Sequence, residues 1–455
     1  MLAISMSALD KIQSPPDWRV LLTEQAIAMP AVWEVVAQSE DPNYYHWEEI
    51  RRRPPPKGLT REQWWLATKL RRQSQYHVIP LLDSRGVPFV YNVTSAVLKG
   101  LHRIDQEASG RIQGPPEQLA TPEARDRYFV SSLIQEAVSS SQLEGAATTR
   151  QVAKDMIRAG RPPRDKSERM IMNNYLAMEQ ITKWGDSPLT PECVFDLHRI
   201  LTTNTLDGDG GSGRFRRADE RVRVEDDYGT VYHTPPPAEE LEQRMAALCR
   251  FANDLDGEPF VPPVLRAIIL HFWLAYDHPF VDGNGRTARA LFYWAMRRYG
   301  YWLAEFISIS HIILRAPRQY YRAFLYTETD GNDLTYFIHY HLQILGKAVE
   351  ELHEYITRKT EELRALSSRM KQDNQWNARQ KALISHALRH PGAEYTFKSH
   401  KNSHQVVYQT ARSDLLGLQE GGLLVGHQVG KQMVFVPPGD LAERVASQQQ
   451  PSTNS

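Results

Sequence analysis

The sequence predicts a mainly α-helical protein, with one short β-hairpin set among the helices and a small α+β module near the C-terminal end. Three observations carry that expectation. Apolar residues recur at helical spacing in Tyr128–Val138, Met170–Trp184, Glu192–Leu201, Glu239–Ala252, Pro263–Tyr276 and Ala288–Tyr299. Strand-like alternation occurs in Arg221-Val222-Arg223-Val224 and again in Thr230-Val231-Tyr232, around the turn residues Asp226-Asp227-Tyr228-Gly229. Beyond residue 376, two helical stretches precede two short apolar runs that flank a Gly-containing turn.

Each segment follows from its composition. Residues 1–90 form an N-terminal, Trp-rich helical extension (Trp18, Trp33, Trp47, Trp64, Trp65), broken at Pro54-Pro55-Pro56, where no helix can continue. Its tryptophans are expected to pack a core, because large aromatics dominate burial. Residues 91–345 hold the helical domain. Within it the predicted hairpin stands between a Gly-rich stretch (Gly208, Gly210, Gly211, Gly213) and Pro235-Pro236-Pro237, as a mobile flap would. A charged helix from about Tyr340 to Met370 forms the linker over 346–375. Residues 376–440 then read as a winged helix-turn-helix: helices over Asn377–His390 and Ser403–Gln419, a stop at Gly421-Gly422, and strands around Leu423-Leu424-Val425 and Gln432–Val436. Residues 441–455 are expected to be a disordered tail, Gln/Ser/Pro-rich from Ser447.

Composition narrows the function classes. The 455 residues carry 54 Lys+Arg against 54 Asp+Glu, so no global basic field exists to hold nucleic acid or an anionic membrane. Cys193 and Cys249 are the only cysteines, which excludes a disulfide framework and a Cys-rich zinc module and suits a reducing compartment. Asp10 and Lys11 interrupt the start of the chain before any signal-like apolar run, and no stretch approaches the ~18 apolar residues of a membrane span. A soluble, cytoplasmic protein is the expectation.

The chemistry is concentrated in one run, His278-Pro279-Phe280-Val281-Asp282-Gly283-Asn284-Gly285-Arg286-Thr287-Ala288-Arg289. It reads as a loop feeding a helix. Gly283 and Gly285 allow close approach of a ligand, and the backbone N–H groups of Gly-Asn-Gly at a helix N-terminus make an anion site. Arg286 and Arg289, three apart, present guanidinium groups to one face. Asp282 stands where a Mg²⁺ bridging two phosphates needs a carboxylate, and His278 has the side chain of a general base. A lone histidine or a lone Asp-Gly-Asn-Gly turn is ordinarily structural. Within twelve residues and in this order, they compose a nucleotide site.

This run resembles the signature of the Fic family, His-Pro-Phe-x-Asp/Glu-Gly-Asn-Gly-Arg-x-x-Arg, at every specified position. His271-Phe272 and the upstream hairpin also fit the family's layout, and the likeness covers roughly residues 90–345. The resemblance implies a Fic helical core with a β-hairpin flap and a protein adenylyltransferase that moves AMP from ATP, with Mg²⁺, onto a Ser, Thr or Tyr hydroxyl, releasing pyrophosphate. It implies His278 as base, Asp282 on the metal, and Gly283, Asn284 and Gly285 on the α- and β-phosphates. Arg286 would face the leaving pyrophosphate and Arg289 the γ-phosphate, while Phe280 anchors the loop. The flap, with Val222, Val224 and Tyr232, would recruit a target segment by strand addition. The motif fixes how a diphosphate is held and leaves open transfer of another group, such as UMP or phosphocholine.

A second run, Ser140-Ser141-Gln142-Leu143-Glu144-Gly145, resembles the family's inhibitory motif, with Ser140, Glu144 and Gly145 in register. An inhibitory helix around 130–145 is thereby implied, in which Glu144 pairs with Arg289 and denies it to ATP. Some relatives use the equivalent Glu to remove AMP, so a de-AMPylating hydrolase on the same site is the alternative. The target protein is unspecified, the chain itself included, and a homodimer is compatible with the resemblance alone.

The C-terminal module suggests another class of function, a DNA-binding regulator. Between 377 and 436 stand seven Lys or Arg against three Asp or Glu, and Ser399–Gln405 place polar side chains at the start of the expected recognition helix. Docking to protein or plain packing are the competing readings. Other enzyme classes lack support: Gly208–Gly213 has no Lys-Ser/Thr ending, His-Glu-x-x-His is absent, and His339 and His341 point to different faces of a helix.

Overall fold

The computed structural model describes residues 12–24, 29–38, 41, 43–108, 122–206, 208, 211–226, 228–253, 257, 259–372, 375–390, 393–429 and 432–448. Along the chain come α1 (Trp18–Glu24), α2 (Met29–Val36), α3 (Trp47–Ile50), α4 (Arg61–Gln73), β1 (His77–Leu82), β2 (Pro88–Tyr91), α5 (Ser95–Ala108), α6 (Pro122–Gln142), α7 (Arg150–Ala159), α8 (Lys166–Trp184) and α9 (Pro191–Thr202). There follow β3 (Val224–Glu225), β4 (Val231–His233), α10 (Leu241–Asn253), α11 (Pro263–Asp277), α12 (Asn284–Arg298), α13 (Ile309–Arg315), α14 (Pro317–Thr329) and α15 (Thr335–Gln372). Last come α16 (Ala378–Arg389), β5 (Tyr395–Thr396), α17 (Phe397–His404), α18 (Tyr408–Glu420), β6 (Val425–Val429), β7 (Gln432–Val436) and α19 (Leu441–Gln448). The protein is mainly helical, as the periodicity predicts. No described helix is long and apolar enough to cross a membrane.

Contacts divide the chain into two compact units, Met1–Ile112 with Ser131–Val349, and Gln113–Val130 with Glu350–Ser455. The core of the first unit is built on α11 and α12. The sequence of α11 is apolar almost all round, and a helix with no polar face must be buried on every side; α12 is buried from Arg286 to Met296 as well, with Arg286 and Arg289 taken into the interior. Trp273, Phe272, Phe292 and Trp294 are shielded there.

The N-terminal residues are not a separate extension ending at 90. They belong to this same unit, and they are not all helical: β1 and β2 pair as an antiparallel hairpin. Val90 continues into backbone bonds with Asn332 and Leu334, across 3.0 and 2.8 Å. Pro80 and a register irregularity between Val78 and Leu82 obscure the alternation that would have announced β1. Buried charges also join the two parts. Arg72 donates to Asp41 and to the Tyr336 hydroxyl, Tyr44 donates to Asp333, and Lys69 pairs with Asp330 at 2.7 Å. Trp47 and Trp65 are buried in this packing, with Trp18 and Trp64 against it, whereas Trp33 is 50% exposed.

In the second unit β5, β7 and β6 form an antiparallel sheet in that order, with Tyr395 opposite Phe435 and Gln428 opposite Met433. Trp376, Ile384, Leu415, Leu418, Leu423 and Phe435 supply its core. Two expectations need correction here. The helix read over Ser403–Gln419 is really two, because Gln405 takes a left-handed conformation (φ 53°) that ends α17. Ser399–His404 therefore belong to α17 and not to the start of α18. Residues 441–448, taken with the tail, form α19, which buries Leu441 and Val445 against the same core. Residues 1–11 with Asp10 and Lys11, Gly210, Asp227, Lys431 and 449–455 lie outside the described residues.

Candidate active site

The twelve-residue run forms the corner between α11 and α12. His278 is the C-terminal cap of α11, in the left-handed region (φ 46°), with its N–H on the Leu274 carbonyl. Gly283, at φ 84°, is the N-cap of α12, which begins at Asn284, four residues before the sequence suggested. No other residue would fit there. A Cβ on Gly283 would lie 2.8 Å from Thr202, on α9. The N–H groups of the Gly-Asn-Gly stretch thus fall in the first turn, where no intrahelical acceptor exists.

His278 is buried, and its Nδ1 lies 3.2 Å from the Ala275 carbonyl. A carbonyl only accepts, so Nδ1 carries the proton and Nε2 is left bare. Burial, helped by the nearby charge of His233, holds the ring far below the usual imidazole range, at about 3. The imidazole is therefore neutral at physiological pH.

Asp282 keeps a partly exposed carboxylate, 29% accessible, with Oδ1 accepting the Gly283 N–H and Oδ2 3.3 Å from Arg286. Arg286 is buried and donates to the Leu201 carbonyl at the end of α9. Phe280 is wholly buried, as expected of an anchor. The Asn284 side chain closes the loop: its Oδ1 accepts the Phe280 N–H at 2.9 Å and its Nδ2 donates one hydrogen to the Phe280 carbonyl at 2.8 Å. The second Nδ2 hydrogen and the backbone N–H are the donors it could turn to a phosphate.

Arg289, one turn further along α12, meets the end of α6. Its Nε donates to Ser140 Oγ at 2.9 Å, and its Nη2 donates to the Ser140 carbonyl at 3.0 Å and to Glu144 Oε1 at 2.8 Å. The two charged side chains are 2% and 6% exposed. Glu144 also lies against Gly285, where a Cβ would collide with its carboxylate. Gly145, at φ 93°, turns the chain away just after. The α6 end is fixed two turns earlier by Glu136. This buried carboxylate accepts from the Tyr293 hydroxyl at 2.8 Å, the Ser308 hydroxyl at 2.7 Å and both N–H and hydroxyl of Ser310.

His278, Glu144, Gly285, Arg289, Val224 and Tyr232 line one cavity, walled further by Tyr276, His233, Tyr320, Tyr321, Phe324, Leu325 and Glu328. Val222 does not line it, and the strand starts later than predicted, at Val224. Asp226 organises the turn: its carboxylate accepts the N–H of Tyr228 and Thr230 and the Tyr232 hydroxyl, which makes a longer ladder unnecessary.

Sequence reasoning missed two residues that shape this corner. His198, on α9, stacks on Phe280 at 3.8 Å, donates from Nε2 to the Asp282 carbonyl at 2.8 Å and accepts the Gly213 N–H at Nδ1. Arg216 donates from Nε to the His278 carbonyl at 2.9 Å and through Nη2 to Pro236, while its N–H meets the Pro279 carbonyl. Each touches backbone distant in sequence, so neither belongs to a local pattern.

Comparison with known proteins agrees with this geometry. Residues 188–296, which contain the run, match the Fic/DOC family. The chain is 28% identical over 231 residues to a protein adenylyltransferase Fic of Nematostella vectensis, covering 48% of this chain and 50% of that one. It is 24% identical over 224 residues to the protein adenylyltransferase fic-1 of Caenorhabditis elegans, covering 49% and 41%. The chain thus spans about half or less of the length of these curated relatives. A Fic family protein of Desulfovibrio desulfuricans G20 shares the fold, with a TM-score of 0.50 at 21% identity over 77% of this chain and 98% of that one. The sharp α11–α12 corner, the glycine-capped helix and the family match together identify residues 188–296 as a Fic domain.

Proposed function

We propose that the protein moves AMP from Mg-ATP to a Ser, Thr or Tyr hydroxyl of a target protein, and that Glu144 holds it in check. One observation carries the reading. A neutral histidine, a glycine-capped helix N-terminus and an arginine already engaged by a carboxylate converge on a single cavity.

In this reading the target hydroxyl gives its proton to His278 Nε2 while its oxygen attacks the α-phosphorus. The bond to the β-phosphate oxygen breaks and pyrophosphate leaves. The depressed basicity of His278 suits this sequence, because the proton affinity of the ring rises when phosphate charge enters the buried site. The N–H groups of Asn284 and Gly285 lie where phosphate oxygens need donors, that of Gly283 joins them once it leaves Asp282 Oδ1, and Arg286 meets the charge of the leaving group. Asp282 offers a partly exposed carboxylate that suits magnesium, which binds through one or two carboxylates together with substrate phosphates. Such an ion neutralises phosphate charge.

Arg289 is the natural partner for the γ-phosphate, and Glu144 occupies it. ATP labelled on the α-phosphate tests the whole reading. Covalent label is expected with Glu144→Gly and not with Glu144→Gly/His278→Ala. Absence of label from both would send attention to other phosphate-linked donors and to AMP removal from a modified target.

The second unit supports a further reading as a winged helix-turn-helix that binds DNA. A three-residue turn, Gln405–Val407, joins α17 to α18, and Lys398, Lys401, Tyr408, Gln409 and Arg412 are exposed around it. The β6–β7 hairpin supplies the wing. Three phosphate contacts would give a log Kd against log salt slope of about 3 on duplex DNA, and a flat dependence refutes it.

A further inference from the structure

We propose that His233, the last residue of β4, is a positioning residue: a doubly protonated imidazolium that latches the β3–β4 hairpin beside the base, so that the hairpin loosens as the ring loses its second proton. The inference rests on the reading of this hairpin as the element that docks the target.

The charge follows from the atoms around the ring. Nε2 lies 2.7 Å from the Tyr276 carbonyl, which can only accept. Nδ1 lies 2.8 Å from Glu328 Oε2, on α14, a carboxylate that also accepts. Both nitrogens must then donate, and a ring with two N–H groups is a cation. The side chain is 8% exposed, so water does not take either place. Burial works against the second proton, but the Glu328 carboxylate outweighs it and holds the ring above the ordinary imidazole range.

The latch bears on the chemistry by position. Tyr276 is in the last turn of α11, two residues before His278, and β4 continues into the Pro235–Pro237 segment that Arg216 grips. Losing the second proton leaves a ring with one N–H for two oxygens, and one attachment is lost. The other charged or titratable groups nearby are Asp277 and the neutral His278 from α11, Arg244 from α10, paired with Asp277, and Arg216 from the preceding loop. Burial raises Asp277 to about 7, so it titrates in an overlapping range. A variant that leaves Asp277 intact is therefore needed. Because the folded value of His233 is raised, the latch is complete below about pH 6.5 and is lost as the pH climbs through that higher value.

Limited trypsin digestion of the full chain reads the latch without reference to catalysis. Arg221 and Arg223, just ahead of β3, are exposed cleavage sites. Rates are normalised to a peptide substrate at each pH. Wild-type cleavage should rise about tenfold from about pH 6 to about pH 9, the lower bound for losing one charge-assisted hydrogen bond. H233Q should be cut fast at every pH. E328Q should stay protected throughout, because a glutamine amide can donate to the bare Nδ1 of a neutral ring. A wild-type rate flat with pH, equal rates for wild type and H233Q at about pH 6, or rapid cleavage of E328Q overturns the proposal. Where AMP transfer is also observed, H233Q should raise KM for the target more than it lowers kcat, and the reverse split overturns the docking role. If no transfer occurs but the digestion follows this pattern, the reading of the activity fails and the latch stands.

Discussion

Replacing Glu144 by glycine is the most informative single perturbation. The carboxylate accepts one hydrogen bond from Arg289 at 2.8 Å, between side chains that are 6% and 2% exposed. A hydrogen bond between charged groups contributes about 1.5–3 kcal/mol. If that contact sets the balance between closed and open Arg289, its loss raises the fraction free for ATP by about 10- to 100-fold, since each 1.4 kcal/mol is tenfold. Removing one member of a buried pair also costs about 3–5 kcal/mol when the other is left bare. Here the cost should fall below that range, because the Ser140 hydroxyl and carbonyl still hold the guanidinium. Glu144 lies just past the end of α6, so glycine there takes little from the helix itself. Initial rates of label transfer from α-labelled ATP, with unfolding midpoints measured in parallel, test both numbers. A folded Glu144→Gly protein with the wild-type rate, in a reaction that His278→Ala abolishes, would refute the brake.

Other outcomes follow from the same contacts. The acid limb of kcat/KM should lie well below about pH 5, since His278 is already neutral there, and a limb centred near 6.5 would contradict its burial. His198→Ala removes two hydrogen bonds and a stacked ring from the corner loop, so urea unfolding should show a loss of about 2–3 kcal/mol together with weaker nucleotide binding. Gly285→Ala places a methyl against the Glu144 carboxylate. Its destabilisation should shrink by about 1 kcal/mol or more in the Glu144→Gly background, and strict additivity in that double-mutant cycle would mean the two do not touch.

How much of the site was legible depends on how its parts are joined. His278, Asp282, Gly283, Gly285 and Arg286 lie on one short stretch, so the order of residues along the chain already is their order in space. Arg289 and Glu144 are 145 positions apart. Nothing in spacing or periodicity pairs them, and only the resemblance of each run to a family motif suggested it. Asn284 has a task that the motif does not announce, for its side chain also bridges the N–H and carbonyl of Phe280, four residues away. His198, Arg216 and Glu136 were invisible because each serves backbone or hydroxyl groups on other elements, and a buried polar side chain without local pattern gives no signal until its partners are known. The break between α17 and α18 rests on a non-glycine residue in a left-handed conformation, which composition does not mark.

The sequence by itself determined the helical character, the α11–α12 corner and the glycine-capped N-terminus of α12, since helix periodicity, glycine conformational freedom and unsatisfied first-turn N–H groups are local properties of the chain. The tertiary structure alone decided which state those groups are in: Arg289 held by α6, the His278 proton on Nδ1, the hairpin fastened by His233. These are matters of which buried charge faces which acceptor, and in a low-dielectric interior that pairing is set by how distant segments pack.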